Sequence, residues 1–300
     1  MMVLRQIGSI GLLGLALAGC GGGGGGEGEE TVRDPGGPDG ETQAYRILKS
    51  TDNASSTLAG QAYRTARDGS GTVLLETATL SGTINHRTGA TTLADDVYSL
   101  TDGDGPDSVG FLSDGAGGAA FVSGLADDGG TYEYVSTFIM GYEDGGSDYD
   151  AVGVVGIATS AGDVPASGSA SYNGDAVVDV FQSSGQTSMT GDSRVSADFG
   201  AGRVSVTMDN FSARDSGGAS VAAPLDSIAI SDMTISGNGF SGGSFSARSG
   251  GAATDLTGGA TLSEAAGGFY GLEDGIPDEV GGAFAESGPD GVLTGVFIAD

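Results

Sequence analysis

The chain has 300 residues, of which 59 are glycine, and its 40 acidic and 11 basic residues give a net charge of −29. This charge argues against nucleic-acid binding, because phosphate contacts require a basic face. The single cysteine excludes an intramolecular disulfide and a cysteine-rich zinc site, and the single histidine excludes metal sites built on histidine pairs.

Residues 1–19 are predicted to be an export signal. Arg5 gives a positive start, and residues 7–18 form an apolar segment that is too short to cross a bilayer. The following Leu17-Ala18-Gly19-Cys20 resembles the lipobox of bacterial lipoproteins, in which the signal is cut before a cysteine that is then acylated. We therefore predict lipid attachment at Cys20, with an ordinary signal peptide as the alternative.

Residues 20–41 are predicted to be a flexible tether behind the lipidated cysteine. Six consecutive glycines at 21–26 are followed by acids, further glycines and two prolines. Such a segment buries too little apolar surface to offset its chain entropy. A Gly-rich chain of this length has an end-to-end distance of roughly 25 Å, so the body of the protein is expected to stand clear of the lipid.

From residue 42 onward the sequence predicts an all-β protein. Short segments that alternate in polarity and are rich in β-branched residues lie between clusters of Gly, Asp, Asn and Ser. We divide this body into a β-rich domain of residues 42–157 and a C-terminal domain of residues 158–300. The second domain contains nine strand candidates, or eight if two of them form one bent strand. This number predicts an eight-stranded antiparallel β-barrel, with a sandwich as the alternative.

Alternation also predicts which side chains face the barrel interior. Residues 203–209 alternate strictly, whereas residues 227–235 change phase part-way, which indicates a β-bulge. The predicted inward side chains are apolar, which favours a packed core: Val178, Val180, Val204, Val206, Met208 and Phe284.

Four tyrosines in the first domain are candidate binding residues: Tyr132, Tyr134, Tyr142 and Tyr149. Tyrosine is enriched at protein contact surfaces. It is also a common strand residue, so packing within the sheet is the alternative.

Three acids in a Gly-rich loop, Asp102, Asp104 and Asp107, are candidates for a weak Ca²⁺ site. The EF-hand pattern is not met, and solvated turn acids are the alternative. We predict no other cofactor or metal.

The sequence contains one formal catalytic motif. Gly239-Phe240-Ser241-Gly242-Gly243 matches G-x-S-x-G, but strands are predicted on both sides and the only histidine, His86, lies in the other half of the chain. We interpret the motif as a β-turn and predict no enzymatic activity; a hydrolase that uses Ser241 is the alternative.

The C-terminal half resembles the transferrin-binding protein B β-barrel domain. The stretch 165–174 resembles the opening strand of that domain, and Gly268-Phe269-Tyr270-Gly271 followed by residues 279–284 resembles its closing signature. Residues 295–297 fit its last strand, and residues 153–159 resemble the lead-in of transferrin-binding protein-like solute-binding lipoproteins. The resemblance covers about residues 152–300.

The resemblance implies a fold and a function. Members of this family are surface or outer-membrane lipoproteins that pair a β-rich handle with an eight-stranded barrel and bind host proteins or haem-type ligands; factor H-binding protein has a related architecture. We therefore expect a handle-type domain over 42–157, a barrel over 158–300, and a lipid-anchored monomer at the outer membrane or cell surface. Its ligand would be a protein or a small solute. The alternative is a structural envelope lipoprotein or adhesin without a specific soluble ligand.

Overall fold

The computed structural model describes residues 55–67, 73–85, 90–95, 97–103, 111–113, 115, 118–122, 132–144, 147–272 and 275–300. These ranges hold strands, turns and bends but no helix, which confirms the all-β prediction. In particular, they contain no helical segment with the length and hydropathy of a bilayer span.

The strands of the N-terminal sheet are β1 Ser55–Arg67, β2 Val73–Asn85, β3 Thr91–Ala94, β4 Ser99–Asp102, β5 Phe111–Ser113, β6 Ala119–Val122, β7 Val135–Asp144 and β8 Ser147–Gly156. The strands of the C-terminal sheet are β9 Ser169–Gln182, β10 Gly185–Asp198, β11 Arg203–Asp215, β12 Ser220–Val221, β13 Ser227–Ser236, β14 Gly239–Ser241, β15 Ser244–Ser249, β16 Ala252–Thr254, β17 Leu262–Tyr270, β18 Glu279–Gly288 and β19 Gly291–Ala299.

The N-terminal sheet is antiparallel and curls until its two edge strands approach each other. Its strand order is β4-β3-β2-β1-β8-β7-β6-β5. Across the seam between β4 and β5, the Ser113 backbone N–H donates to the Asp102 carboxylate at 3.0 Å. Alternate residues of β1, such as Leu58 and Ala62, point into the curl and are buried. The sheet therefore encloses its own apolar core.

The C-terminal sheet closes into an eight-stranded antiparallel barrel, as predicted. Neighbouring strands follow the order β11-β10-β9-β19-β18-β17-β14-β13, and pairing of β11 with β13 closes the ring. Strand β9 runs without interruption from Ser169 to Gln182.

The barrel interior is a packed apolar core. All six predicted inward residues belong to it: Val178, Val180, Val204, Val206, Met208 and Phe284. The predicted bulge in β13 is also present. Pairing shifts between Val204 with Met233 and Val206 with Ile230, and Asp232 has a φ of 60° at the shift.

The two sheets share an apolar junction. Strands β18 and β19 are buried on both faces, because one face lies on the barrel core and the other packs against the N-terminal sheet. The residues of this junction are Tyr63, Tyr134, Val135 and Val154 from the first sheet and Tyr270, Ala283, Ala285, Val296 and Ile298 from the barrel. We call this cluster the domain junction.

The chain passes between the sheets at residues 157–159. The Ile157 N–H donates to the Tyr134 carbonyl at 2.9 Å, and the Thr159 N–H donates to the Phe269 carbonyl at 2.9 Å. Ala158 forms an isolated bridge with Tyr270. The division of the body at 157/158 stays a prediction, and the crossing segment bonds to both sheets.

Candidate binding surface

Three tyrosines form a stack at one end of the inner face of the N-terminal sheet. The Tyr98 and Tyr142 ring centroids are 4.7 Å apart, and those of Tyr142 and Tyr149 are 5.2 Å apart, with nearly parallel planes. Tyr142 on β7 is buried, while Tyr98 and Tyr149 are half-buried on either side of it. Gly118 lies so close to the Tyr98 ring that a Cβ at this position would overlap the ring.

A buried ion pair fixes the central tyrosine. Arg64 Nη1 lies 3.1 Å from Asp95 Oδ2, and the two side chains are 4% and 0% exposed. The Tyr142 hydroxyl donates to the same oxygen at 2.8 Å. The Arg64 guanidinium also lies 5.7 Å from the centroid of the Tyr149 ring, within the range of a cation–π contact. Burial, followed by the Asp95 hydrogen bond and charge, raises the pKa of Tyr142, so its hydroxyl remains a neutral donor.

Tyr132 and Tyr134 lie elsewhere, at the domain junction. Strand β7 begins at Val135, so both tyrosines precede it. The Tyr132 hydroxyl donates to Asp175 of β9 at 2.9 Å, and burial followed by the Asp175 charge raises the pKa of Tyr132. Tyr134 packs on Gly271, whose φ of 62° and contact with the ring leave no room for a side chain.

A buried carboxylate, Glu279, holds the two sheets together at this junction. Its Oε2 accepts the N–H groups of Tyr134 and Val135, both at 2.8 Å, and its Oε1 accepts the N–H of Glu133. The side chain reaches from the start of β18 to the start of β7. Desolvation raises the pKa of Glu279 to about 7, against the opposing effect of the three N–H donors.

The structure therefore separates the four predicted binding tyrosines into two places. Tyr142 and Tyr149 belong to the stack, and Tyr132 and Tyr134 to the junction. Tyr134 and Tyr142 are buried, whereas Tyr132 and Tyr149 keep part of their surface in solvent. The role of all four in binding stays a prediction.

The remaining predicted site residues are less informative. Asp102 bonds to Ser113 across the sheet seam, while Asp104 and Asp107 lie outside the described residues, so the weak Ca²⁺ site stays a prediction. Within the described ranges there is no group of three or more His, Cys, Asp or Glu residues arranged to hold a metal. Ser241 is exposed at the end of β14, next to Gly242 and Gly243, both of which have positive φ. Cys20, the signal, the tether and His86 lie outside the described residues.

Sequence reasoning missed Arg64, Asp95 and Glu279. Arg64 occupies the same strand face of β1 as the buried Leu58 and Ala62. Because side chains alternate between the two faces of a strand, this position could have indicated a buried cation. Glu279 was noticed only as part of the Glu279–Phe284 signature, and nothing in the local sequence identifies the backbone groups that it accepts.

Residues 164–300 match the family of C-lobe and N-lobe β-barrels of Tf-binding protein B. The matched segment is the closed barrel described above, with its closing strands β17, β18 and β19. The C-terminal barrel of this chain is therefore similar to the barrels of transferrin-binding protein B. No curated protein sequence matches the chain.

Several solved structures are similar to this transferrin-binding protein B-like chain at low identity. Transferrin-binding protein B of serogroup B Neisseria meningitidis is 19% identical, with 81% of this chain and 43% of that chain covered and a TM-score of 0.45. A double mutant of transferrin-binding protein B of Haemophilus parasuis Hp5 is 12% identical, with 83% and 76% covered and a TM-score of 0.43. The haemoglobin receptor HpuA of Kingella denitrificans is 14% identical, with 86% and 90% covered and a TM-score of 0.37. The family match, and not these distant likenesses, identifies the barrel.

Proposed function

We propose that this chain is a lipid-anchored binding protein of the cell surface that captures a protein ligand and performs no catalysis. The observation that carries this proposal is the family match over residues 164–300, since that family is named for the binding of transferrin. The N-terminal sheet, joined to the barrel through the domain junction, supports the proposal because the two sheets together give a frame on which loops can present contacts.

The charge of the chain favours a basic partner or a basic patch on the partner. A net charge of −29 sets up a field that accelerates encounter with positive surfaces and slows encounter with negative ones. We therefore expect the association rate to fall as salt concentration rises. Of the predicted contact residues, Tyr149 is the best placed, because its half-exposed ring is held by Tyr142 and Arg64.

The anchor is part of the same proposal. Acylation at Cys20 would fix the chain to a membrane, and the tether of residues 20–41 would carry the two domains away from the lipid. The outer membrane or cell surface is the proposed location.

Affinity capture tests the proposal. The purified full chain is immobilised and exposed to growth medium and to serum proteins, and captured proteins are identified by mass spectrometry. Each candidate is then measured by surface plasmon resonance, with the soluble full chain as competitor. We expect saturable, competed binding that Tyr149→Ala weakens by about fivefold or more. The control is Val221→Ala, which removes an exposed apolar side chain from the edge strand β12 of the C-terminal sheet. Absence of any saturable protein ligand would contradict the proposal.

A further inference from the structure

The wall of the barrel is open along part of its height. Strand β13 pairs with β14 at one end and with β15 at the other. Strand β14 continues the ring by pairing with β17, but β15 pairs instead with the short strand β16. In the described part of the chain, no ladder joins β15 to β17, so the two strands diverge and leave an opening in the wall.

A cavity of about 220 Å³ lies at this opening. Its apolar lining consists mainly of Leu225, Phe245, Ala247, Leu256 and Leu293. Leu225 and Leu293 also belong to the barrel core, so the floor of the cavity is the core itself. The loop of residues 255–261 covers one side of it.

Backbone hydrogen bonds hold the loop of residues 255–261 in place. The Asp290 N–H donates to the Thr257 carbonyl at 2.9 Å, and the Thr261 N–H donates to the Ser287 carbonyl at 2.8 Å. Both bonds tie the loop to the hairpin between β18 and β19. The cavity is therefore formed without a ligand, which lowers the ordering cost of binding one.

A carboxylate enters the cavity from the inner face of the barrel. Val280 and Phe284 on β18 point into the core, and Glu286 lies two residues further along on the same face. The Ser263 hydroxyl donates to Glu286 Oε1 at 3.0 Å. Among the described residues no arginine forms an ion pair with Glu286. Desolvation raises the pKa of Glu286, and the nearby Asp255 charge adds to this effect.

Asp255 makes the rim of the cavity negative as well. Its carboxylate accepts the N–H groups of Thr257, Gly258 and Gly259 at 2.8, 3.1 and 2.7 Å. The Thr257 hydroxyl donates to it at 2.7 Å. These bonds lower the pKa of Asp255, so it remains ionised near Glu286. Two acids that form no ion pair with any described residue thus lie at a cavity with a partly apolar lining.

We propose that this cavity binds a small organic ammonium ion, whose apolar body fills the cavity and whose ammonium group donates to Glu286. The size supports a ligand with one ring, since a cavity of about 150 Å³ accepts benzene and this one has about 220 Å³. A charge-assisted hydrogen bond to the ammonium compensates the half-buried carboxylate. This site is separate from the proposed capture of a protein ligand and does not depend on it.

Isothermal titration of the full chain with phenethylammonium chloride tests the proposal. We expect saturable binding of one ion per chain. The uncharged analogue 2-phenylethanol, of the same shape, should bind at least about tenfold more weakly. Glu286→Gln should weaken binding of the ammonium ion by about tenfold to a hundredfold, because it removes a charge-assisted hydrogen bond. Ala247→Leu, which keeps the carboxylate but fills the cavity, should abolish binding.

The control separates this site from the general attraction of a strongly acidic protein for cations. Glu264→Gln removes the same charge from an exposed position on β17 and should leave the affinity unchanged within about twofold. The proposal is overturned by an absence of saturable binding, by an equal loss in the Glu264 and Glu286 variants, or by an Ala247→Leu variant that binds as tightly as the wild type.

Discussion

Replacement of Glu279 is the most direct test of how the two sheets are held together. Glu279→Ala removes the acceptor of three backbone N–H groups at Glu133, Tyr134 and Val135. A buried donor left unsatisfied costs about 1–3 kcal/mol, and water that enters the vacated space recovers part of this. We therefore expect the free energy of unfolding to fall by about 3–5 kcal/mol, near the upper end for a single substitution.

The free energy of unfolding of Glu279→Gln is expected to depend on pH differently from that of the wild type. The pKa of Glu279 in the folded protein is about 7, above its ordinary value of 4.5. The folded state therefore binds the proton more tightly, and the contribution of Glu279 to stability falls as pH rises from about 4.5 to about 7. The rise in the pKa of Glu279 corresponds to about 3 kcal/mol of stability that is lost over this pH range. Glutamine does not titrate. The difference in the free energy of unfolding between the wild type and Glu279→Gln should therefore be smallest at pH 8.

Urea denaturation at several pH values between 5 and 8 measures both effects. The chain has no tryptophan, so tyrosine fluorescence and far-ultraviolet circular dichroism are the probes. Glu264→Ala, at an exposed position of β17, is the control and should change stability by less than about 0.5 kcal/mol. A Glu279→Ala variant as stable as the wild type would refute the role of the carboxylate. If the free energy of unfolding changed with pH in the same way for the wild type and Glu279→Gln, the raised pKa of Glu279 would be refuted.

Three further outcomes are expected. Cys20→Ser should move the protein from the membrane to the soluble fraction or leave an uncleaved precursor, and an intact mass of the mature protein without acyl chains would contradict lipidation. The fragment 158–300 should melt cooperatively. It should bind the dye ANS more strongly than the full chain, because it exposes the barrel side of the domain junction. A non-cooperative melt of the fragment beside a cooperative melt of the full chain would refute independent folding of the barrel. Tyr142→Phe should cost about 1–2 kcal/mol of stability through loss of the hydrogen bond to Asp95. Tyr149→Phe should change stability by less than about 0.5 kcal/mol. Equal losses of stability in thermal denaturation would refute the role of the Tyr142 hydrogen bond.

The sequence by itself determined the local features of this protein. Strict alternation at 203–209 identified the buried face of β11, and the change of phase within 227–235 predicted a bulge, which the structure places at Asp232. The number and spacing of strand segments predicted the eight-stranded barrel, and the short motifs between residues 165 and 297 predicted its family. The buried face and the bulge follow from a period of two residues, which a short segment carries within itself, whereas the family followed only from the resemblance of its motifs.

Only the tertiary structure decided which segments meet. Tyr132 and Tyr142 are close in the sequence, yet one contacts Asp175 of the barrel and the other contacts Asp95 of the N-terminal sheet. Glu279 reaches the backbone of Tyr134, which lies 145 residues earlier in the chain. Alternation assigns a side chain to a face but not to a partner, because the backbone groups that pair strands are the same in every segment. The junction, the stack and the opening between β15 and β17 are products of this pairing, so only the folded chain reveals them.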